Sequence, residues 1–260
     1  MTQTDDSIPA KPYIERNRRN LPASATLDWL AAGWRDFTTR PGLSLFYGVG
    51  VFLLSLAVVW SLFSMGLDYI LFPALAGFMV VGPLVATGLY EKSRAIGKGE
   101  TPTLRSMIFV KPASGYQIWF AGAILCVLML LWMRAAVLIY ALFFGYQPFP
   151  GLDHVTEMLF YTPTGWAMLV VGVAAGGLFA AFSFAISTFS IPMLLDEKTD
   201  AATAMGTSIS MVWSNLPVMI CWGMIVLGLF LISVATMLVG LIIVFPLLGH
   251  ATWHAWKAMK

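Results

Sequence analysis

Few side chains in this sequence have the type and spacing to do chemistry. His250 and His254 stand four apart in Gly249-His250-Ala251-Thr252-Trp253-His254-Ala255-Trp256. A helix would put both imidazoles on one face, where they could ligate a metal or a haem. No nearby carboxylate or cysteine supplies a third ligand, and Trp253 and Trp256 beside them favour an interfacial aromatic belt. Arg134 is the formally charged residue set well inside an apolar stretch. A midplane arginine costs about 3 to 10 kcal/mol or more. It marks either a site for an anionic substrate or headgroup, or an outer-half position from which it snorkels or pairs with carbonyls, Asp153 or Glu157; the second reading is favoured. Cys126 and Cys221 each lie alone in an apolar block and read as small hydrophobes. The 15 methionines are scattered and read as adaptable packing rather than copper ligation. There is no GxSxG, HExxH, P-loop or dinucleotide fingerprint, and the carboxylates fall in connections or tails. No enzyme, cofactor or metal is therefore expected.

The elements that would position these residues are membrane helices. The chain is 59% hydrophobic and 11% charged, against roughly 25% charged for a soluble domain. Its apolar residues come in blocks of about 20, the length that crosses roughly 30 Å of hydrocarbon. The fold class expected is an all-α polytopic membrane protein with six transmembrane helices arranged as three hairpins. The spans are placed at 43–65, 69–90, 117–145, 165–195, 216–235 and 237–256, the last two joined by a tight turn near 233–237. Residues 1–23 have no apolar core, so no signal peptide is expected and they read as a disordered cytoplasmic tail. Residues 24–260 form a single membrane domain. A net charge of +2 without a basic, aromatic-rich tract gives no reason to expect nucleic acid.

Every Lys and Arg except Arg134 falls on one side of such a six-span thread, which places both termini in the cytoplasm. Each hairpin is preceded by an amphipathic helix. The first, 24–39, has Leu27, Leu30, Ala31, Trp34 and Phe37 on its apolar face and Asp28, Arg35 and Asp36 opposite, with Ser24 as cap and Pro41-Gly42 as the break. A weaker one covers 103–110. The third uses Ala202, Met205, Ile209 and Val212, with Asp200 as cap. Interfacial helix followed by hairpin makes a threefold internal repeat, set against the alternative of three connections that are helical independently. Pro73, Pro83, Pro192 and Pro246 are expected to kink their helices. Gly172, Gly176 and Ala180, with Gly177 and Ala181, form small-xxx-small runs that pack helices within the chain or, as an alternative, in a homo-oligomer.

The runs from Leu27 to Phe37, Pro41-Gly42-Leu43-Ser44-Leu45 with Tyr47-Gly48, Gly82-Pro83-Leu84 to Gly88-Leu89-Tyr90-Glu91, and Pro246 to Ala255 resemble a bacterial inner-membrane family classed as a domain of unknown function. Some members carry a cytochrome oxidase subunit I label, which three histidines cannot support. The resemblance implies a bacterial inner-membrane location. The function expected is a non-enzymatic accessory, assembly or envelope-maintenance factor whose partners are the bilayer, its anionic headgroups and a membrane protein. A small-molecule or lipid transporter using Arg134 is the alternative, and a haem-binding redox subunit resting on His250 and His254 the third.

Overall fold

A computed structural model describes residues 17–145 and 151–260, the side chains of Leu152 and Asp153 excepted. Among these residues all the regular secondary structure is helical. The elements are α1 (Ala25–Thr38), α2 (Pro41–Ser64), a 3-10 turn (Asp68–Ile70), α3 (Leu71–Val85), α4 (Thr87–Gly97), α5 (Leu104–Ile108), α6 (Gln117–Phe144), α7 (Leu152–Phe160), α8 (Pro163–Asp196), α9 (Ala201–Ser214), α10 (Leu216–Ala235) and α11 (Leu241–Met259). Among the described residues, five stretches are long and apolar enough to cross a membrane: α2, the unit Asp68–Gly97 that contains α3 and α4, α6, α8 and α10, with mean hydropathy of 2.0 to 2.5. The chain is an integral membrane protein. Helix α11 falls short of that standard because its apolar run stops at Leu248, and His250, Trp253, His254, Trp256 and Lys257 fill the rest.

The spans bury little of themselves in protein: only 11% to 28% of each apolar window is enclosed. Burial gathers instead where α2, α6 and α10 begin and where α4, α8 and α11 end. This is the basic end of the bundle. At 1.5 Å per residue α8 is about 51 Å long, against roughly 30 Å of hydrocarbon. Its continuously buried stretch, Ile186 to Leu195, is the last part of that length, packed under α9. Ser208 ties the two helices, accepting from Phe189 N (3.1 Å) and donating to Ala185 O (2.7 Å).

Helix α11 is the strut of the basic end, and glycines let its neighbours close on it. A Cβ at Gly33 of α1 would lie 2.6 Å from Ala251 N. Gly48 of α2 rests against the carbonyl of Ile242. Pro246, four residues further on, lacks the N–H that would have bonded that carbonyl, so the oxygen exposed by the proline is covered by a glycine backbone from the next helix. Elsewhere Trp132 of α6 joins three helices: its indole N–H donates to Pro73 O of α3 at 3.0 Å, and its ring lies over Gly176 and Phe179 of α8.

Several expectations are corrected. The close partners are α2 with α11 and α3 with α6, and of the expected hairpin pairs α6 with α8 packs closely. The α10–α11 turn falls at 236–240, with Met237 and Leu238 at positive φ. Asp36 belongs to the buried face of α1 together with Ala25, Trp29, Gly33 and Phe37, whereas Leu27 and Trp34 are exposed. The helix is apolar on two sides, and only tertiary packing selects which one turns inward. Ser24 makes no capping bond, while Asp200 caps Thr203 N as expected. Pro73 sits in the first turn of α3, where a missing N–H costs nothing, so it needs no kink. Pro83 precedes the break at Ala86 between α3 and α4, whose freed Val85 carbonyl accepts from Tyr47 Oη at 2.6 Å. Pro192 and Pro246 lie inside unbroken helices. Residues 1–16 of the expected tail lie outside the described residues; from Asn17 the chain is held, Asn215 donating to Asn17 O and accepting from Arg19 N, both at 2.8 Å.

Gly48→Ala is therefore expected to destabilise the protein by about 1 to 3 kcal/mol through overpacking against backbone. Gly172→Ala, which meets nothing within 4 Å, should stay within about 0.5 kcal/mol of wild type. Denaturant unfolding of the two variants in micelles checks the contrast.

Candidate functional site

At the basic end, polar side chains from α1, α2, α4 and α11 meet in the core. Lys92 of α4 is wholly buried. Its ammonium has three N–H donors and faces three acceptors: Ser44 Oγ at 2.7 Å and the carbonyls of Phe37 and Arg40, each at 3.4 Å. Phe37 lies in the last turn of α1, so the cation stands at the negative end of that helix dipole. Arg40, between α1 and α2, holds a left-handed backbone (φ 54°, ψ 64°) that a non-glycine residue adopts only at a cost. Its carbonyl is fixed by the same ammonium.

A chain of hydrogen bonds extends beyond Lys92. An ammonium only donates, so Ser44 accepts from it, and its Oγ also bonds His250 Nε2 at 3.0 Å. Where Ser44 gives its proton to Nε2, His250 carries hydrogen on Nδ1 and donates to Ser93 Oγ at 2.8 Å. Ser93 in turn bonds the carboxylate of Asp36. That carboxylate also accepts from His254 Nε2, which lies 2.8 Å from Oδ2. The chain Lys92, Ser44, His250, Ser93, Asp36 thus runs from a cation that can only give to an anion that can only take, with His254 at its half-exposed end.

Burial alone would raise the Asp36 pKa, but the hydrogen bonds from His254 and Ser93, with the two imidazoles nearby, outweigh it and hold the carboxyl below the usual carboxylate range. Because the native value is depressed, ionised Asp36 adds stability at neutral pH, and that contribution disappears as pH falls through the depressed value, below about 4. The surrounding carboxylates are also paired. Glu91 meets Arg94 at 2.6 Å, Asp196 meets Lys257 at 2.9 Å, and Glu197 meets Lys260 at 2.6 Å. Arg94 further donates to Leu195 O at 2.6 Å and to Lys111 O at 3.2 Å, tying α4 to α8 and the α5–α6 connection.

Ser44 between Lys92 and His250 has the spacing of a hydroxyl with two neighbouring bases. Its side chain is fully enclosed, so no substrate atom reaches Oγ in this conformation and the arrangement holds helices together. Both nitrogens of His250 are engaged, by Ser44 and Ser93. The aromatic-belt expectation for this turn is also corrected: Trp253 and Trp256 are buried, with Lys257 over both rings.

Arg134 is exposed on α6 in the half remote from the basic end. Its expected partner Asp153 lies outside the described side chains. In the small-residue runs of α8, Gly176 faces Trp132, whereas Gly177, Ala180 and Ala181 are exposed and Gly172 has open space before it. Cys126 is exposed, and Cys221 lies 3.5 Å from Thr26 Oγ1. Sequence reasoning missed Lys92, Ser44 and Ser93. The available signal was a lysine and two serines at the ends of apolar stretches, where nothing obliges a polar residue to be buried.

Two measurements follow. Nitrogen-15 NMR of labelled His250 at neutral pH should show the hydrogen on Nδ1 and a bare Nε2; the reverse tautomer breaks the proposed polarity. Unfolding midpoints should hold between pH 7 and 5 and fall below about pH 4, more steeply in wild type than in Asp36→Asn.

Residues 71–196, from the start of α3 to the end of α8, match the family model described as "Predicted integral membrane protein (DUF2189)". Lys92 and Ser93 lie inside that segment, and Asp36, Ser44, His250 and His254 outside it. No curated protein and no solved structure matches the chain. Over its α3–α8 segment, then, the chain is similar to the DUF2189 family of predicted integral membrane proteins, a domain of unknown function.

Proposed function

We propose that the protein is a six-span accessory factor of the bacterial inner membrane that does no chemistry of its own. In this reading both termini are cytoplasmic, and the packed basic end forms a platform against the anionic leaflet, where a membrane-protein partner is assembled or held. The observation that carries the reading is the surface of the basic end. Trp34, Phe109, Tyr116, Trp119 and Trp213 are exposed there, on or beside the three interfacial helices α1, α5 and α9. Arg35, Arg40, Arg105 and Lys111 are exposed among them. Aromatic rings at headgroup level flanked by cations suit an anionic interface. Asp36, Glu91, Asp196 and Glu197 at the same end are engaged in internal pairs, so they do not cancel that surface charge.

A sixth crossing by α11 is supported by its apolar half, Leu241 to Leu248, lying beside the lipid-facing α2 through the Gly48 contact. The remaining polar half is sheltered by α1 and α4 rather than by lipid, which reconciles its sequence with a span. On this thread Lys98→Cys should react with a membrane-impermeant thiol reagent from the cytoplasmic side and Val239→Cys from the opposite side. Labelling of both from one side sinks the six-span thread.

The leaflet preference is tested by native mass spectrometry of lipid retained from mixed phosphatidylglycerol and phosphatidylcholine. Wild type should retain the anionic lipid preferentially. Arg105→Ala and Lys111→Ala should each weaken that preference about fivefold, from roughly 1 kcal/mol per basic residue at such a surface. Equal retention of both lipids contradicts the platform reading.

A further inference from the structure

The internal connections of the basic end converge on one helix. Helix α1 joins α2 through only Thr39 and Arg40, and Arg40 is held left-handed with its carbonyl bound by Lys92. The C-terminal half of α1 is docked by polar contacts: Asp36 to His254 of α11 and to Ser93 of α4, and the Phe37 carbonyl to Lys92 of α4. Its opposite side presents Leu27 and Trp34 to the surroundings, so leaving the dock would not strip the helix of an apolar-facing position.

We propose that α1 is a latch, docked on α11 and α4 while the Asp36 carboxylate is ionised and released about the Arg40 joint when that charge is neutralised. The titratable groups facing Asp36 are His254 and His250 from α11 and Lys92 from α4. From α2 the facing polar group is Ser44, which is engaged by Lys92 and His250. From α10 the nearest such group is Cys221, near Thr26 on the first turn of α1 and remote from Asp36 along the helix. Neutralising Asp36 takes the charge assistance from the hydrogen bonds of both Ser93 and His254. It also leaves Lys92, wholly buried, as a cation without a counter-charge. Buried cations of that kind are not tolerated, and undocking readmits water to Lys92 and lets Arg40 leave its left-handed conformation. The latch stands apart from the leaflet reading, since it needs only the contacts inside the basic end.

Hydrogen exchange of the full chain in nanodiscs tests it. At pH 7, α1 amides in Asp36→Asn should lose about tenfold in protection, the scale set by losing a charge-assisted hydrogen bond, while amides of α6 and α8 keep theirs. Wild type brought below about pH 4 should show the same selective loss, and this arm decides the matter if the variant fails to fold. Unchanged α1 protection in Asp36→Asn, or loss in α6 and α8 in step with α1, overturns the proposal.

Discussion

A cation taken out of water must be met by acceptors and balanced by an anion, and the burial of Lys92 imposes that condition on this protein. The three donors of the ammonium select the end of α1, the joint at Arg40 and Ser44 at the start of α2. Its counter-charge, Asp36, is reached through His250 and the two serines. Four helices are thereby given one mutual arrangement. Apolar packing alone would be content with many, since a helix sliding along another in lipid loses little hydrophobic energy. The polar chain supplies register where the hydrophobic effect cannot.

This explains why the molecule is built in two unlike parts. Through the bilayer, the helices lean mainly on lipid and touch at a few shape-matched points, such as Trp132 against Gly176 and Phe78 between Phe230 and Phe245. At the basic end, protein replaces lipid and packs as a soluble core does: Leu89, Phe189, Leu194, Trp222, Ala251 and Trp256 are sealed, and the charges around them are paired. Helix α11 passes from one part to the other. Its first half is apolar, its second carries two histidines and two tryptophans, and Pro246 lies at the change, with the carbonyl it frees covered by Gly48.

The membrane helices were legible in the sequence because length and hydropathy are local properties. The expected 117–145 and 216–235 correspond to Gln117–Phe144 and Leu216–Ala235, and the Asp200 cap and the Pro41 break could be named from adjacent residues. What could not be read was which polar residue turns inward. Asp36 sits on a helix with apolar residues all round, so periodicity gave two candidate faces and the charge argued for the wrong one. Ser44, Ser93 and Lys92 carry no motif, and their partners lie 48 to 206 residues away in the chain. The His250 and His254 spacing did mark the right turn of α11. Its surroundings, Ser44 and Ser93 about His250 and Asp36 beside His254, emerge only when α1, α2 and α4 are brought beside it.

The most direct test of this account is a double-mutant cycle between Lys92→Met and Asp36→Asn, read as unfolding free energy in micelles. If one unbroken chain joins the two charges, each single change strands its partner, and the double variant costs at least about 1 kcal/mol less than the sum of the singles. Additivity to within about 0.5 kcal/mol would mean that the charges stabilise the fold independently, and would contradict the claim that a single polar chain sets the arrangement of the basic end.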